Sequence, residues 1–378
     1  MTLPSVTVIV PNWNGRQHLE RCFGSLLDLE YDGEVRLMMI DNGSVDGSLS
    51  LMRRRFGEVT LIENRVNQGF AAACDAGAER AETELVAFLN NDMRVERTWL
   101  SELARSMAEE GAGCAASLIL SWDGRTVNYA GGGMNFHGIG IQIGLGDPLL
   151  AAHREPSATL FACGGAMAIR RDLFLSAGGF DPDYFAYYED VDLGWRLWLL
   201  GECVRFVPSS VAYHHHSATS GRIDIHRLRL LQIRNPLYTI FKNYEDENLR
   251  KVLPVAILLT LRRTKYQLVL NDAQFSLEEG CGQRRGPLAR FRARLAERLD
   301  KARVSRAGLA DLLAISQLTD RIKVLSAKRR EIQARRRRAD AEILPLFRDP
   351  LWPAEAAEEY PGIQQELLEF FDLVEVFR

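Results

Sequence analysis

The first 120 residues of the chain alternate between short apolar runs and stretches in which apolar side chains recur at helical spacing. The apolar runs cover residues 6–10, 35–40, 59–62, 85–89 and 114–120. Strands that lack polar alternation and are separated by helices are typical of a parallel sheet covered on both faces. The pattern therefore predicts a Rossmann-like α/β domain with a mostly parallel central sheet.

The pattern becomes irregular between residues 121 and 165, where glycine is dense and includes Gly131, Gly132 and Gly133. We expect hairpins and loops in this segment, and we expect them to shape a substrate cleft. Further along, the spacing predicts a strand at 159–169, a helix at 189–200, short strands at 204–207 and 211–214, and a closing helix at 226–243.

After residue 244 the strand pattern stops. Residues 1–244 are therefore predicted to form one domain, and residues 245–378 an α-helical region. Apolar residues share one helical face from 288 to 299 and a second face from 309 to 325. This spacing predicts a helical hairpin with Arg-rich outer faces, followed by an acidic tail from Ala354.

The overall net charge of −3 hides an uneven distribution of charge along the chain. Residues 262–338 contain 21 Lys and Arg against 8 Asp and Glu. This block is expected either to contact anionic lipid peripherally at the inner membrane face, or to pack on the first domain or on a second copy. Nucleic-acid binding is not expected, because no aromatic platform accompanies the basic run.

Cysteine usage and the apolar runs indicate where the protein acts. The six cysteines are scattered and form no CxxC pair, and no basic leader precedes the first strand. The longest apolar run, residues 252–261, has about half the ~20 residues that a spanning helix needs. We therefore expect a cytoplasmic protein with reduced thiols.

Polar residues follow the first two predicted strands at the points where those strands end. The motif PNWNG contains Pro11, Asn12 and Asn14, and Asp41 follows the second strand. Ligands of open α/β sheets bind beyond the carboxyl ends of the strands. Asp41 is therefore expected to accept hydrogen bonds from a nucleobase or ribose, whereas Asp46 is expected only to cap the next helix.

Two later strand ends carry residues suited to a phosphate and a metal. Asn67 and Gly69 precede a predicted helix whose first backbone N–H groups suit a phosphate or ribose, although Asn and Gly are also ordinary helix caps. Asp92, after the fourth strand, is placed to bind a divalent cation together with diphosphate oxygens.

Candidate acid–base and imidazole groups lie in the second half of the predicted domain. Glu189 and Asp190 begin a predicted helix, and a helix N-terminus keeps a carboxylate ionised, so that it can abstract a proton. The alternative is that both residues only cap the helix. His214, His215 and His216 are consecutive, and one of them could complete a metal shell or be merely structural.

Taken in order, these segments resemble glycosyltransferase family 2, the inverting enzymes with a GT-A fold. The segments are PNWNG, DNGSVDGS, NxGF, NND, GGFDPDYFAYYEDVDLGWRL and YHHHSATSG, and they run from about residue 6 to 243. The resemblance is strongest to the branch of bacterial rhamnosyltransferases and related cell-surface polysaccharide enzymes.

The resemblance implies a role for each matching residue. It makes Asp190 the catalytic base, Asp41 a contact of the donor base, and Asp92 and His214 metal ligands, with His216 as the alternative to His214. It implies further donor contacts at Pro11, Asn12, Asn14, Asn67, Gly69, Asn91 and Asp92. It implies acceptor-side contacts at Gly165, Glu189 and Trp195. An Arg234–Asn235 pair also matches this branch, without an assigned role.

One departure concerns the metal motif of the family, DxD, which reads Asn90-Asn91-Asp92 here and lacks its first carboxylate. Mn²⁺ or Mg²⁺ is still the expected cofactor. The implied reaction moves a sugar, with rhamnose as the candidate, from a dTDP- or UDP-linked donor to a saccharide or polyprenyl-linked acceptor. The alternatives are a non-catalytic GT-A scaffold and a sugar-phosphate nucleotidyltransferase. The second would require a basic phosphate loop after the first strand, where this sequence reads PNWNGRQ.

Overall fold

The computed structural model describes residues 2–215, 224–268, 305–353 and 359–377. Its strands are β1 (Val6–Asn12), β2 (Val35–Asp41), β3 (Thr60–Glu63), β4 (Leu85–Leu89), β5 (Met93–Val95), β6 (Cys114–Ser121), β7 (Val127–Tyr129), β8 (Gly132–Met134), β9 (Gly140–Gln142), β10 (Ser157–Ala158), β11 (Ala166–Arg170) and β12 (Val204–His214).

The central sheet has the strand order β10-β12-β6-β11-β4-β1-β2-β3. Strand β1 pairs in parallel with β2 and β4, β2 pairs in parallel with β3, and β6 pairs in parallel with β12. Strand β11 runs antiparallel between β4 and β6. The predicted α/β class with a mostly parallel sheet is confirmed, and most of the predicted strands are found within one or two residues.

Helices cover both faces of this sheet and continue to the end of the chain. They are α1 (Arg16–Leu27), α2 (Ser48–Arg55), α3 (Phe70–Arg80), α4 (Trp99–Glu110), α5 (Arg171–Ser176), α6 (Glu189–Leu199), α7 (Ile225–Asn243), α8 (Asp246–Leu268), α9 (Arg306–Asp320), α10 (Ile322–Ala334), α11 (Asp340–Ile343) and α12 (Tyr360–Phe370).

Two strand predictions need correction. The strand predicted at 159–169 is formed only from Ala166 to Arg170, because a turn precedes it, in which Ala166 N donates to Cys163 O at 3.1 Å. The two short strands predicted at 204–207 and 211–214 are one strand, β12, with an irregularity between Val207 and Val211. Pro208, which has no N–H to donate, lies at that irregularity.

The helices after residue 244 share a hydrophobic core with the α/β part of the chain. Leu249, Leu318, Leu325, Phe347 and Tyr360 belong to the same buried cluster as the strands. Of the predicted helical hairpin, the face at 288–299 lies outside the described residues. The face at 309–325 is found, but it is divided between α9 and α10, which meet at Arg321.

Several arginines of the basic block bind protein carbonyls. Arg329 Nη1 donates to the carbonyls of Phe241 at 2.8 Å and Tyr244 at 2.6 Å, and Arg336 donates to that of Asn243. These oxygens belong to the C-terminal end of α7, where helical carbonyls lack intrahelical partners and attract cations. This part of the basic block therefore packs on the α/β domain. No helix in the described ranges is long and apolar enough to cross a bilayer.

Candidate active site

A cavity of about 560 Å³ opens at the carboxyl edge of the parallel strands. Its wall includes the ends of β1 and β4, the end of β12 and the start of α6. The predicted site residues that line it are Pro11, Asn12, Asn67, Gly69, Asn91, Asp92, Gly165, Glu189, Asp190 and His214. The parallel topology brings these residues together, because the strands end at one edge of the sheet.

A network of side-chain amides joins three strand ends beneath the cavity. Asn12 Nδ2 donates to Asp41 Oδ1 at 2.9 Å, and Asn12 Oδ1 accepts from Asn91 Nδ2 at 2.7 Å. A Cβ atom at Gly15 would lie 2.1 Å from Asn91 Nδ2, so only glycine fits above these amides. Asp41, 1% exposed, also accepts from Ser44 N and does not line the cavity. Its predicted contact with a donor base stays a prediction.

Asp92 and His214 form the candidate metal site. The Nε2 atom of His214 lies 3.5 Å from Asp92 Oδ1, and the backbone N–H of His215 donates to Asp92 O at 3.0 Å. The antiparallel pairing of β5 with β12 sets this approach, because it places His214 opposite Met93. The described residues contain no group of three or more His, Cys, Asp or Glu side chains that could hold a metal ion. The remaining ligands of a cation would therefore come from substrate and water.

The N-terminus of α3 binds the protein itself at two of its first N–H groups. The backbone N–H groups of Phe70 and Ala71 donate to Phe185 O at 2.7 and 3.4 Å. Gly69 has a φ of 92°, and a Cβ atom there would lie 2.3 Å from Phe185 O. Asn67 and Gly69 line the cavity, but the N–H groups of Phe70 and Ala71 are not free for a phosphate.

Asp190 and Glu189 form a pair of carboxyl groups at the start of α6, where Glu189 is buried and Asp190 is half-buried. Asp190 Oδ2 accepts from Gly164 N at 2.9 Å, and its Oδ1 accepts from Val191 N at 2.8 Å. Burial raises the pKa of Asp190, and these backbone donors oppose the rise. Burial and the charge of Asp190 raise the pKa of Glu189 well above its usual range. Burial and the neighbouring charge therefore favour the protonated form of Glu189, and Asp190 is the more acidic member of the pair.

Besides Asp41, two predicted site residues do not reach the cavity wall. Asn14 faces the α1–α2 side, where its Oδ1 accepts from Val45 N at 2.8 Å, and it contributes nothing to the cavity. Trp195, expected on the acceptor side, is fully buried, with its ring centroid 4.7 Å from that of Tyr244 and 5.3 Å from that of Phe347. Trp195 therefore packs α6 against the C-terminal segment. His216 lies outside the described residues.

Other cavity-lining residues were not predicted as site residues. They are Trp13, Asn42, Asn128, Gln142, Phe185, Tyr187 and Gln232, among others. Asn128 is 7% exposed, and its buried Oδ1 atom has no hydrogen-bond partner among the described residues. A buried amide without partners is costly unless a ligand or water satisfies it. The Oδ1 atom of Asn128 thus offers an acceptor to a hydroxyl or N–H group of a polar ligand.

The charge of the cavity wall is negative. Asp92 and Asp190 line it, and among the described lining residues there is no Lys or Arg. The half-buried Cys163 also lines it, and burial raises the pKa of that thiol, which keeps it protonated. The wall therefore suits neutral hydroxyl groups, and an anionic substrate would need a bound cation.

The fold is that of the GT-A class, and two solved structures share it. The structure of GalNAc-T7 with UDP, GalNAc and Mn²⁺ matches with a TM-score of 0.53 and 18% identity, over 67% of this chain and 51% of that chain. The mannosyltransferase PcManGT from Pyrobaculum calidifontis, with GDP-Man and Mn²⁺, matches with a TM-score of 0.50 and 19% identity, over 82% of this chain and 86% of that chain.

The family model described as glycosyl transferase family 2 matches residues 7–176. N-acetylglucosaminyl-diphospho-decaprenol L-rhamnosyltransferase of Mycobacterium tuberculosis (strain ATCC 25618 / H37Rv) is 30% identical over 239 residues, covering 57% of this chain and 77% of that protein. The chain belongs to glycosyltransferase family 2. A second relative, protein y4gI of Sinorhizobium fredii, is 27% identical over 238 residues, which span 58% of this chain but only 25% of y4gI.

Proposed function

We propose that this protein transfers a glycosyl residue from a nucleotide-diphosphate sugar to an acceptor hydroxyl, with inversion at the anomeric carbon. The observation that carries the proposal is that Asp190 and the Asp92–His214 pair line one cavity at the carboxyl edge of the sheet. Membership in glycosyltransferase family 2 supports it.

Asp190 would act as the general base. Its carboxylate is held by the N–H groups of Gly164 and Val191, which fix the orientation of both oxygens. Burial raises its pKa, which makes the carboxylate a stronger base than one in water. Asp190 would remove the proton of the acceptor hydroxyl as the hydroxyl oxygen bonds to the anomeric carbon and the nucleoside diphosphate leaves with the electron pair of the broken bond.

A single displacement fits the cavity better than a covalent intermediate. The thiol of Cys163 lines the cavity, but burial raises its pKa and leaves it protonated, which makes it a weak nucleophile. Asp190 is already held by two backbone donors as an oriented base. Inversion, rather than retention, is therefore the expected stereochemical outcome.

Asp92 and His214 would hold a divalent cation, Mn²⁺ or Mg²⁺. Carboxylate and imidazole suit such an ion, and the lack of a third protein ligand among the described residues agrees with sites completed by substrate phosphates. When bound, the cation would offset the charge of the diphosphate as it leaves. The described cavity wall offers no Lys or Arg to the diphosphate. Apart from the cation, His214 is therefore the main candidate for contacting the diphosphate charge.

Rhamnose on a dTDP or UDP carrier is the first donor to test, with a saccharide or polyprenyl-linked acceptor in cell-surface polysaccharide or glycolipid synthesis. The decaprenol-linked substrate named for the mycobacterial relative supports this choice. A cytoplasmic protein at the inner membrane face would meet such an acceptor. Because Arg329 and Arg336 bind carbonyls, lipid contact would depend on other basic residues, which liposome flotation would test.

The decisive experiment is a donor screen in the presence of MnCl₂ or MgCl₂. Purified protein is mixed with UDP-, dTDP- and GDP-sugars, and the melting temperature and the release of nucleoside diphosphate are measured. We expect one donor to raise the melting temperature, since ligand at about 100 times its Kd adds roughly 2.7 kcal/mol. We expect its turnover to require the cation and to stop with EDTA. Absence of both effects across the screen would contradict the proposal.

A further inference from the structure

The cavity wall that leads to Asp190 is a loop in a strained backbone conformation. Within residues 183–188, Phe185, Tyr187 and Tyr188 have φ angles of 64°, 67° and 69°. Bulky side chains disfavour this left-handed region, and such conformations persist only where the surrounding structure holds them. Tyr188 directly precedes α6, so the path of this loop sets where Asp190 enters the cavity.

One buried side chain in α7 binds three carbonyls of this loop. Asn235 is 0% exposed, and its Nδ2 donates to Tyr184 O at 3.1 Å, Ala186 O at 3.0 Å and Tyr187 O at 2.7 Å. The amide has two N–H groups, so the three carbonyls share them. A hydrocarbon side chain at this position would leave buried carbonyls without a donor, which is costly.

The neighbouring arginine orients this amide and extends the contact. Arg234 Nε donates to Asn235 Oδ1 at 3.0 Å, which fixes the amide with its nitrogen toward the loop. Arg234 Nη2 donates to Asp183 O at 2.8 Å, and Nη1 donates to Gln317 Oε1 of α9 at 3.2 Å. The pair therefore ties the loop to α7 and to a helix of the C-terminal region.

The opposite side of the loop is held by α3. Phe185 O accepts from Phe70 N at 2.7 Å, next to Gly69, which leaves no room for a Cβ atom. The loop thus lies between the N-terminus of α3 and the Arg234–Asn235 pair. If the α7 contacts are lost, the strained residues can relax toward ordinary φ angles, and the start of α6 shifts with them.

We propose that Arg234 and Asn235 are positioning residues, which hold the 183–188 loop so that Asp190 meets the acceptor hydroxyl in the correct geometry. This inference rests on the proposed function. Neither residue is assigned a contact with substrate, so their removal should lower kcat and leave nucleotide binding in place. A displacement of about 1 Å of a reacting group can cost about 100-fold in rate.

The test uses two variants of the full chain and one matched control. Asn235→Leu removes the donor to three carbonyls at nearly constant volume, and Arg234→Met removes the bonds to Asp183 O and Gln317. Asn248→Leu is the control, since Asn248 donates to Asp340 Oδ2 at 2.7 Å and does not line the cavity. The readouts are kcat and KM for the donor found by the screen, the Kd of its nucleoside diphosphate, and hydrogen–deuterium exchange by peptide.

We expect kcat to fall at least tenfold in both variants, with the Kd of the nucleoside diphosphate and the donor KM within threefold of wild type. Exchange should rise in the peptide that covers residues 183–190 and not in the strands, and the control should keep its kcat. A fall in kcat accompanied by faster exchange throughout the domain would show general destabilisation and overturn the inference.

An unchanged kcat with faster exchange in the loop would also overturn the inference. If Asn235→Leu fails to fold, Arg234→Met decides alone. Arg234 is only partly buried, so its replacement disturbs the fold less. A wild-type protein that turns over no donor contradicts the proposed function itself. Active wild type with fully active variants contradicts only the positioning role.

Discussion

Asp190→Asn changes one oxygen of the proposed base to an N–H₂ group and removes its basicity. In the native protein each carboxylate oxygen accepts one backbone N–H, from Gly164 at 2.9 Å and from Val191 at 2.8 Å. Asparagine has a single acceptor oxygen, so one of these two N–H groups would face the amide nitrogen instead. The variant therefore tests the chemistry at a small and calculable structural cost.

The two effects differ greatly in size. Loss of a general base lowers kcat by about 10²- to 10⁴-fold. One unpaired buried N–H costs about 1–3 kcal/mol of folding stability, which still leaves a domain of ordinary stability folded. Nucleotide binding should not change, because the donor contacts predicted around Asn12, Asn67 and Asp92 lie on other strands and loops.

The assay is steady-state transfer with the donor from the screen, together with the Kd of its nucleoside diphosphate. The matched control is Glu189→Gln. Glu189 Oε2 has no partner among the described residues and its pKa is raised by burial, so the protonated acid and the amide have similar shape and charge. We expect a loss of at least 100-fold for Asp190→Asn and less than tenfold for Glu189→Gln. The reverse order would refute the assignment of the base.

Three further predictions follow from the same structure. The kcat should fall as the pH drops through the raised pKa of Asp190, because protonation removes the base. An acid limb of the pH profile at the pKa of an exposed aspartate would contradict the effect of burial. Lys242→Met should lower the free energy of unfolding, measured in urea, by about 3 kcal/mol, because Lys242 Nζ binds Asp181 at 2.7 Å and Asp192 at 3.0 Å. A small change would show that Arg196 and Lys328, which also bind these two carboxylates, compensate for the loss. If the unpartnered amide oxygen of Asn128 binds a sugar hydroxyl, Asn128→Leu should raise the KM of the donor or of the acceptor about tenfold. Unchanged KM values for both substrates would exclude that contact.

The convergence of the site could be predicted because it follows from sheet topology. Asn12 ends β1 and Asp92 follows its parallel neighbour β4, so the sequence pattern was enough to place them at one edge. His214 could be placed there from the resemblance, and its pairing opposite Met93 explains why it reaches Asp92. Residues whose position depends only on the end of a strand are the ones that sequence reasoning locates best.

Trp195 shows where that reasoning fails. All residues of α6 except Asp190 are buried, so the helix has no exposed face that could indicate which side chains face the cavity. Val191, at the start of α6, lines the cavity, whereas Trp195, one turn later, packs on Tyr244 and Phe347. The spacing of apolar residues in the sequence does not show which other element packs on each face of a helix.

The basic block illustrates a second limit. A sequence shows that Arg329 and Arg336 carry charge, but their partners are carbonyls at the end of α7, about 90 positions earlier. The same applies to Arg234 and Asn235, whose partners lie about 50 positions away in the 183–188 loop. Asn128 lies in the glycine-dense segment, where no periodic pattern exists to indicate which side chains face a cavity.

The most direct test of the account is a crystal structure of the protein with Mn²⁺ and an unreactive analogue of its donor, with the metal located by anomalous scattering. The account predicts an anomalous peak in contact with Asp92 and His214, diphosphate oxygens on the same ion, and the anomeric carbon facing the carboxylate of Asp190. A diphosphate bound away from Asp92, or a sugar turned away from Asp190, would contradict it.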